Sequence, residues 1–341
     1  MCKYLSGKPS LSGLFLLLAL GLIFCTIQNY AMNPEADLCK DKPEKILVSI
    51  LLKGTKTDSK LNSVVIPLKQ AGRLYMIEAR INDLEGNLIF DTGATELVLN
   101  RTYFRKYASF KKPAGGGVTG SMSEVHGTIL DKIDISGLFY DQVAADLTDL
   151  GHIEDKRGVK ILGLFGLKMI DHLEVIFDAA NSELRLNRVD EDGNRLDPDV
   201  DNIQFEFTQK LETRCHFMMI KGRIKDKELI FCLDTRAEIN VLSNRVPKKV
   251  METIQISRRS TLGGSKSGSV EALYGTMNEF EFGDFQFGNM NTVMIDLSSM
   301  CEAYGCYIDG MLGYDFWQKG VFCFNCRKKE IRFNVGKGVL K

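Results

Sequence analysis

The feature that most constrains this chain is that it repeats itself. Residues 74–91 read LYMIEARINDLEGNLIFD and residues 217–234 read FMMIKGRIKDKELIFCLD, an offset of 143. Each segment alternates apolar and polar residues, breaks at a polar turn, then runs apolar into an Asp-Thr pair, as two hairpin strands would. Two further marks recur downstream. Ile161-Leu162-Gly163 is echoed by Ile308-Asp309-Gly310, and Glu183-Leu184-Arg185-Leu186 by Glu330-Ile331-Arg332-Phe333, both at an offset of 147. A two-copy repeat with units this long reads as a duplicated domain and not as a solenoid. The 341 residues leave room for two such domains, each able to bury a core. Each unit offers one plausible short helix among short apolar strands and Gly-rich turns, so both are predicted to be mostly β. The polar, turn-rich stretch at residues 189–202 joins them.

Ahead of the repeat stands an export segment. Lys3 and Lys8 precede an uncharged apolar run of 17 residues, LSGLFLLLALGLIFCTI, at positions 11–27. That is long for a signal core and near the lower limit for a spanning helix, so residues 1–31 are expected to act as an export signal or an N-terminal membrane anchor. The expected location is the periplasm or cell envelope. The remaining division is an N-terminal segment (32–63), a first lobe (64–190), a linker (191–202) and a second lobe (203–341).

Charge and metal-ligand content narrow the function classes. Lys+Arg and Asp+Glu are both 44, without the basic excess of a nucleic-acid binder. The four histidines, His126, His152, His172 and His216, form no HExxH and no pair at helical spacing, which disfavours a hydrolytic zinc site. Seven cysteines follow the export segment: Cys39, Cys215, Cys232, Cys301, Cys306, Cys323 and Cys326. In an oxidising compartment Cys301/Cys306 and Cys323/Cys326 are each near enough in sequence for a local disulfide. The same spacing also resembles a four-thiolate zinc site, ranked below disulfides. Neither cofactor nor metal is predicted.

The chemistry lies in the Asp-Thr-Gly sequence. Asp91-Thr92-Gly93-Ala94 sits between the apolar stretches Leu88-Ile89-Phe90 and Leu97-Val98-Leu99. A carboxylate at a tight turn between buried strands is held rigidly and partly desolvated. Gly93 lets the backbone pass close to a neighbour, and the Thr92 hydroxyl can bond across an interface. A lone D-T-G is weak evidence, since Asx-type turns are frequent. The strength lies in its recurrence as Asp234-Thr235, each followed by an apolar-apolar-Gly or Ile-Asp-Gly segment more than 70 residues on.

With these residues in place, positions 64–336 resemble the aspartic proteases of the retropepsin/pepsin clan, most closely the bacterial retropepsin-like proteins with two such domains in one chain. The resemblance implies an all-β fold of two similar β-barrel lobes with an active-site cleft between them. It implies Asp91 and Asp234 as a catalytic pair, supported by Thr92, Gly93 and Thr235. Gly117, Gly120, Gly263 and Gly264 match the substrate-covering flap by position and glycine content. Two carboxylates held close together share one proton, so one activates water while the other donates to the scissile carbonyl; this dyad is a standard example of that logic. A peptide or protein substrate follows, and one chain suffices if its two lobes pair.

The departure is Arg236, which stands where the motif has its second glycine. It brings bulk to the place where the loops meet, and a guanidinium near the pair favours ionising both carboxylates. Asp309, in an otherwise apolar position, is a second oddity. The main expectation is an exported aspartic endopeptidase, and the alternative is a catalytically inactive, peptide-binding pseudoprotease. Other arrangements are a dyad built from Asp91 of two chains, or merely structural Asp turns. Arg236 separates the first two: turned outward it leaves the dyad free, whereas an ion pair with Asp91 or Asp234 disables it.

Overall fold

Two sheets, each wrapped around its own apolar interior, stand on a third that both halves build. The computed structural model describes residues 61–340, apart from 108, 113–115, 118–119, 122–124, 201–202, 216, 264–268 and 337–338. The export segment, Gly264 and Cys39 lie outside the described residues.

The shared sheet has six strands, all antiparallel. The first lobe gives Ser63–Pro67, Glu183–Arg188 and Leu173–Asp178; the second gives Gly320–Asn325, Glu330–Val335 and Phe207–Lys210. Its middle rungs, Val175↔Phe324 and Ile176↔Cys323, join the lobes. Leu173–Asp178 is buried along its whole length, as its Leu-Glu-Val-Ile-Phe-Asp run of β-formers permits. Beneath the seam, Phe177 meets Trp317 edge-on at 5.3 Å and Trp317 meets Phe322 at 5.0 Å, which makes one apolar core of both halves. Of the two buried carboxylates on Leu173–Asp178, Glu174 is charge-paired to Arg195 and Arg332, and Asp178 accepts from Asn181 at the strand's end.

Above the seam the first lobe closes its eight-stranded sheet through the pairing of Leu74–Ile81 with Val125–Ile135, whereas the eleven-stranded sheet of the second lobe stays open, a half-barrel where a second barrel was expected. Their inner connectivity is the same. In the first, Ile161–Phe165 runs parallel to Leu84–Phe90 and antiparallel to Leu97–Asn100. In the second, Gly310–Leu312 runs parallel to Lys227–Leu233 and antiparallel to Asn240–Ser243. The molecule is thus all-β and bilobal, with matching lobes.

Each lobe carries more helix than its sequence announces. The first has Arg101–Phe104 and Gly151–Arg157, with a 3-10 turn at Leu167–Met169; the second has Lys248–Met251, Ser298–Tyr304 and Tyr314–Trp317. Segments of three to seven residues are too short for an apolar period to be seen. The disulfide also differs from the local pairing expected. Cys306 bonds Cys215, 91 residues away, while Cys301, Cys323, Cys326 and Cys232 are free thiols. With Cys306 committed to that bond, the four-thiolate set is incomplete.

Candidate active site

Each Asp is delivered to the end of a buried strand and held there by the strand that follows the apolar-Gly segment. Asp91 N donates to Phe165 O at 3.1 Å and Asp234 N to Leu312 O at 3.0 Å. The glycines of those segments are required by space: a Cβ on Gly163 would lie 2.1 Å from Val98 O, and one on Gly310 would lie 2.5 Å from Val241 O. Asp309 proves to be a strand fastener. Its carboxylate accepts from Ile230 N at 2.8 Å and Tyr307 OH at 2.7 Å.

The two loops bind one another reciprocally. Thr92 N donates to Thr235 Oγ1 and Thr235 N to Thr92 Oγ1, both at 3.0 Å. Thr92 Oγ1 donates on to Leu233 O at 3.0 Å and Thr235 Oγ1 to Phe90 O at 2.6 Å. All four bonds are buried, where an unmade one would be costly, so the loops are locked face to face. Within each loop the inner carboxylate oxygen is saturated. Asp91 Oδ1 accepts from Gly93 N and Ala94 N at 2.9 and 3.0 Å, and Asp234 Oδ1 from Arg236 N and Ala237 N at 2.8 and 3.1 Å. The outer oxygens, Oδ2 of each, are left for other work. Gly93 has the Asp234 carboxylate so close that a Cβ there would meet its Cγ at 2.6 Å.

At the corresponding place in the second loop, Arg236 folds inward. Its Nε lies 2.7 Å from Asp91 Oδ2, off the line of a good hydrogen bond but in direct ion-pair contact. Arg236 is 1% exposed and both Asp residues are 0% exposed. Burial lifts the Asp91 carboxyl above the ordinary range, with the Arg236 charge opposing. Burial, then the Asp91 charge, pushes Asp234 up to about 7, again against Arg236. Below that value the pair retains a proton that belongs to both carboxyls, beside the Arg236 guanidinium.

Contacts that no motif reveals hold the second loop in place. Glu238 is gripped by Arg157, its backbone carbonyl accepts from Arg73 Nη1 at 2.9 Å, and Arg73 also reaches Asp315 at 3.5 Å. Helix Gly151–Arg157 of the first lobe thereby touches the second loop, and its His152, its pKa lowered chiefly by burial, feels Arg236 as well. Of the flap matches, Gly117 pairs with Gly120 in a two-rung hairpin, Gly116–Gly117 with Gly120–Ser121. That hairpin lies against helix Ser298–Tyr304 of the opposite lobe. Gly263 ends the strand Gln255–Gly263, opposite Ser269.

Residues 220–316 match the family model described as aspartyl protease. The matched stretch lies wholly within the second lobe and includes both Asp234 and Gly310. The match falls on the lobe whose motif departs, at Arg236, and not on the one with an intact Asp-Thr-Gly. Among solved structures, basic 7S globulin from soybean is similar at 10% identity and a TM-score of 0.47, covering 81% of this chain and 95% of that one. The fold rests on the strand connectivity and not on that likeness. No curated protein matches the sequence.

Proposed function

We propose that this chain is a pseudoprotease of the cell envelope: a duplicated aspartic peptidase fold whose two carboxylates are kept but blocked by its own Arg236. The observation that carries this is the buried contact of Arg236 Nε with Asp91 Oδ2 at 2.7 Å. A dyad hydrolyses by placing water between two carboxylates that share a proton. A guanidinium there takes one carboxylate as its counter-ion and fills space the water needs. Peptide is the ligand class that suits two lobes with hairpins beside them. Export is supported by the Lys3/Lys8 apolar run, and the Cys215–Cys306 disulfide suits an oxidising compartment.

An active peptidase is the second reading, and a specific observation favours it. The loop-to-loop hydrogen bonds are complete, and the Asp234 carboxyl at about 7 keeps a proton in the pair at mildly acidic pH. In that case the Arg236 side chain must swing away as substrate enters.

One experiment separates the two. Cleavage of an unbiased peptide library is followed across about pH 3 to 8 for wild type, Arg236→Gly, and each of these combined with Asp91→Asn or with Asp234→Asn. A silent wild type and an Arg236→Gly variant whose cleavage Asp91→Asn removes support the blocked dyad. Wild-type cleavage lost in both Asp91→Asn and Asp234→Asn makes the protein an enzyme. Cleavage that survives Asp234→Asn points to Asp91 from two chains.

A further inference from the structure

Each lobe ends its main sheet on a strand preceded by a run of cations. In the second lobe that strand is Gln255–Gly263, first in its sheet order and paired on one side only, with Ser269–Met277, among the described residues. In the first it is Ser109–Lys112, last in its sheet order and paired with Val125–Ile135. The two are equivalent by register. Ser109 faces Thr128 and Ile256 faces Gly275, both shifted by 147, and the same shift carries Lys111-Lys112 onto Arg258-Arg259. Residues 101–112 hold five cations and no carboxylate; residues 244–263 hold five cations and only Glu252. In a chain balanced at 44 against 44, that is local segregation of charge.

The second-lobe strand is open to solvent. Gln255, Ile256, Ser257, Arg258 and Arg259 are all exposed, with Ile256 at 47%. Arg258 is steadied over the Tyr274 ring at 4.2 Å and Arg259 touches Glu271 at 3.1 Å with its side chain 74% exposed, so both remain available to an incoming anion. Charges on an edge strand, lysines above all, also keep sheets from sticking to one another, but that duty does not require the same rungs in both lobes. Here both lobes use positive charge only, at equivalent rungs.

We propose that the outer strand Gln255–Gly263, with Ser109–Lys112 as its counterpart, is a docking edge for an extended acidic segment of a partner polypeptide. The segment would add as a further strand beyond the irregularity at Ser257, its backbone bonding the open edge, one carboxylate meeting Arg258 on one face and the next meeting Arg259 on the other. The site is separate from the Asp pair and holds whether or not that pair hydrolyses anything.

The probe is a labelled peptide of about ten Glu and Val residues with the Glu in adjacent pairs, so that both faces carry carboxylates, titrated with the full chain by fluorescence anisotropy. The same peptide N-methylated at alternate residues, and a Lys-Val peptide, serve as controls. The Glu-Val peptide is expected to bind, to weaken by about tenfold or more in Arg258→Glu/Arg259→Glu, and to weaken in about 0.5 M salt. The N-methylated form should bind about tenfold less well, because strand addition needs its N–H groups. Equal binding of Glu-Val and Lys-Val peptides would overturn the proposal. So would undiminished binding of the N-methylated form, or tighter binding, through the same arginines, of phosphatidylglycerol vesicles or a single-stranded oligonucleotide. If the double reversal does not fold, Arg258→Gln with Arg259→Gln carries the same comparison.

Discussion

At the scale of single residues the molecule turns on two buried carboxyls and the guanidinium set against them. The Asp234 carboxyl moves from an ordinary value of 3.8 to about 7 on folding, so the folded chain holds a proton the unfolded chain releases. Its contribution is therefore fully present below about pH 4 and is lost as pH rises towards about 7. Thermal melting should fall across that window. Asp234→Asn should flatten the profile and raise the midpoint at pH 8 by several degrees, since the amide stays neutral. A variant that melts lower than wild type at pH 8 would contradict the assignment. Arg236→Gly removes a cation that lowers both carboxyls, so the upper titration step should move to higher pH, measurable by NMR of the Asp carboxyl carbons. Asp91, Asp234 and the third loop position were legible because a turn flanked by apolar strands marks them in one dimension. The direction of the Arg236 side chain was not, for it is set by which charge faces it across the lobe boundary.

Among the elements, short pieces far apart in sequence fix the second loop and its surroundings. The disulfide ties Cys215, ahead of strand Phe217–Ile224, to Cys306, just past helix Ser298–Tyr304, the helix against which the glycine hairpin lies. Opening a loop of 91 residues by Cys215→Ser with Cys306→Ser should lower unfolding stability by about 4.6 kcal/mol on the chain-entropy model. Urea unfolding reads that loss, and an unchanged midpoint would show the bond to be idle. Glu238 is 20% and Arg157 12% exposed in their pair, so Glu238→Gln strands a half-buried guanidinium and should cost about 2 kcal/mol. Double-mutant analysis with Arg157→Met should recover most of it. None of this could be read from spacing. Cysteines five apart looked like partners, but pairing follows the fold and not proximity along the chain. The strands were legible because Leu74–Ile81 and Phe217–Ile224 each open on four apolar residues and then alternate, whereas a four-residue helix such as Lys248–Met251 has no period to show.

Over the whole molecule, the six-stranded seam decides what either lobe can do by itself. Cutting at the linker would bare Leu173–Asp178, an apolar strand that needs a partner on the side where Gly320–Asn325 now sits. The isolated first lobe, residues 64–190, should therefore self-associate, with peptide cleavage that rises as the square of its concentration, because two Asp91-Thr92-Gly93 loops would meet without a guanidinium. Sedimentation that finds it monomeric at about 100 μM would refute this. The offsets of 143 and 147 announced two matching halves, and the seam supplies what they could not: the halves are complete only together. That union also governs what heredity can write. Where two copies of one polypeptide supply the loops, a single codon sets both, and a cation at the third loop position arrives twice. Here codon 93 and codon 236 mutate separately. One can stay glycine, as the carboxylate packed on it demands, while the other admits arginine. The lopsided site is a liberty open to a chain that carries both of its halves.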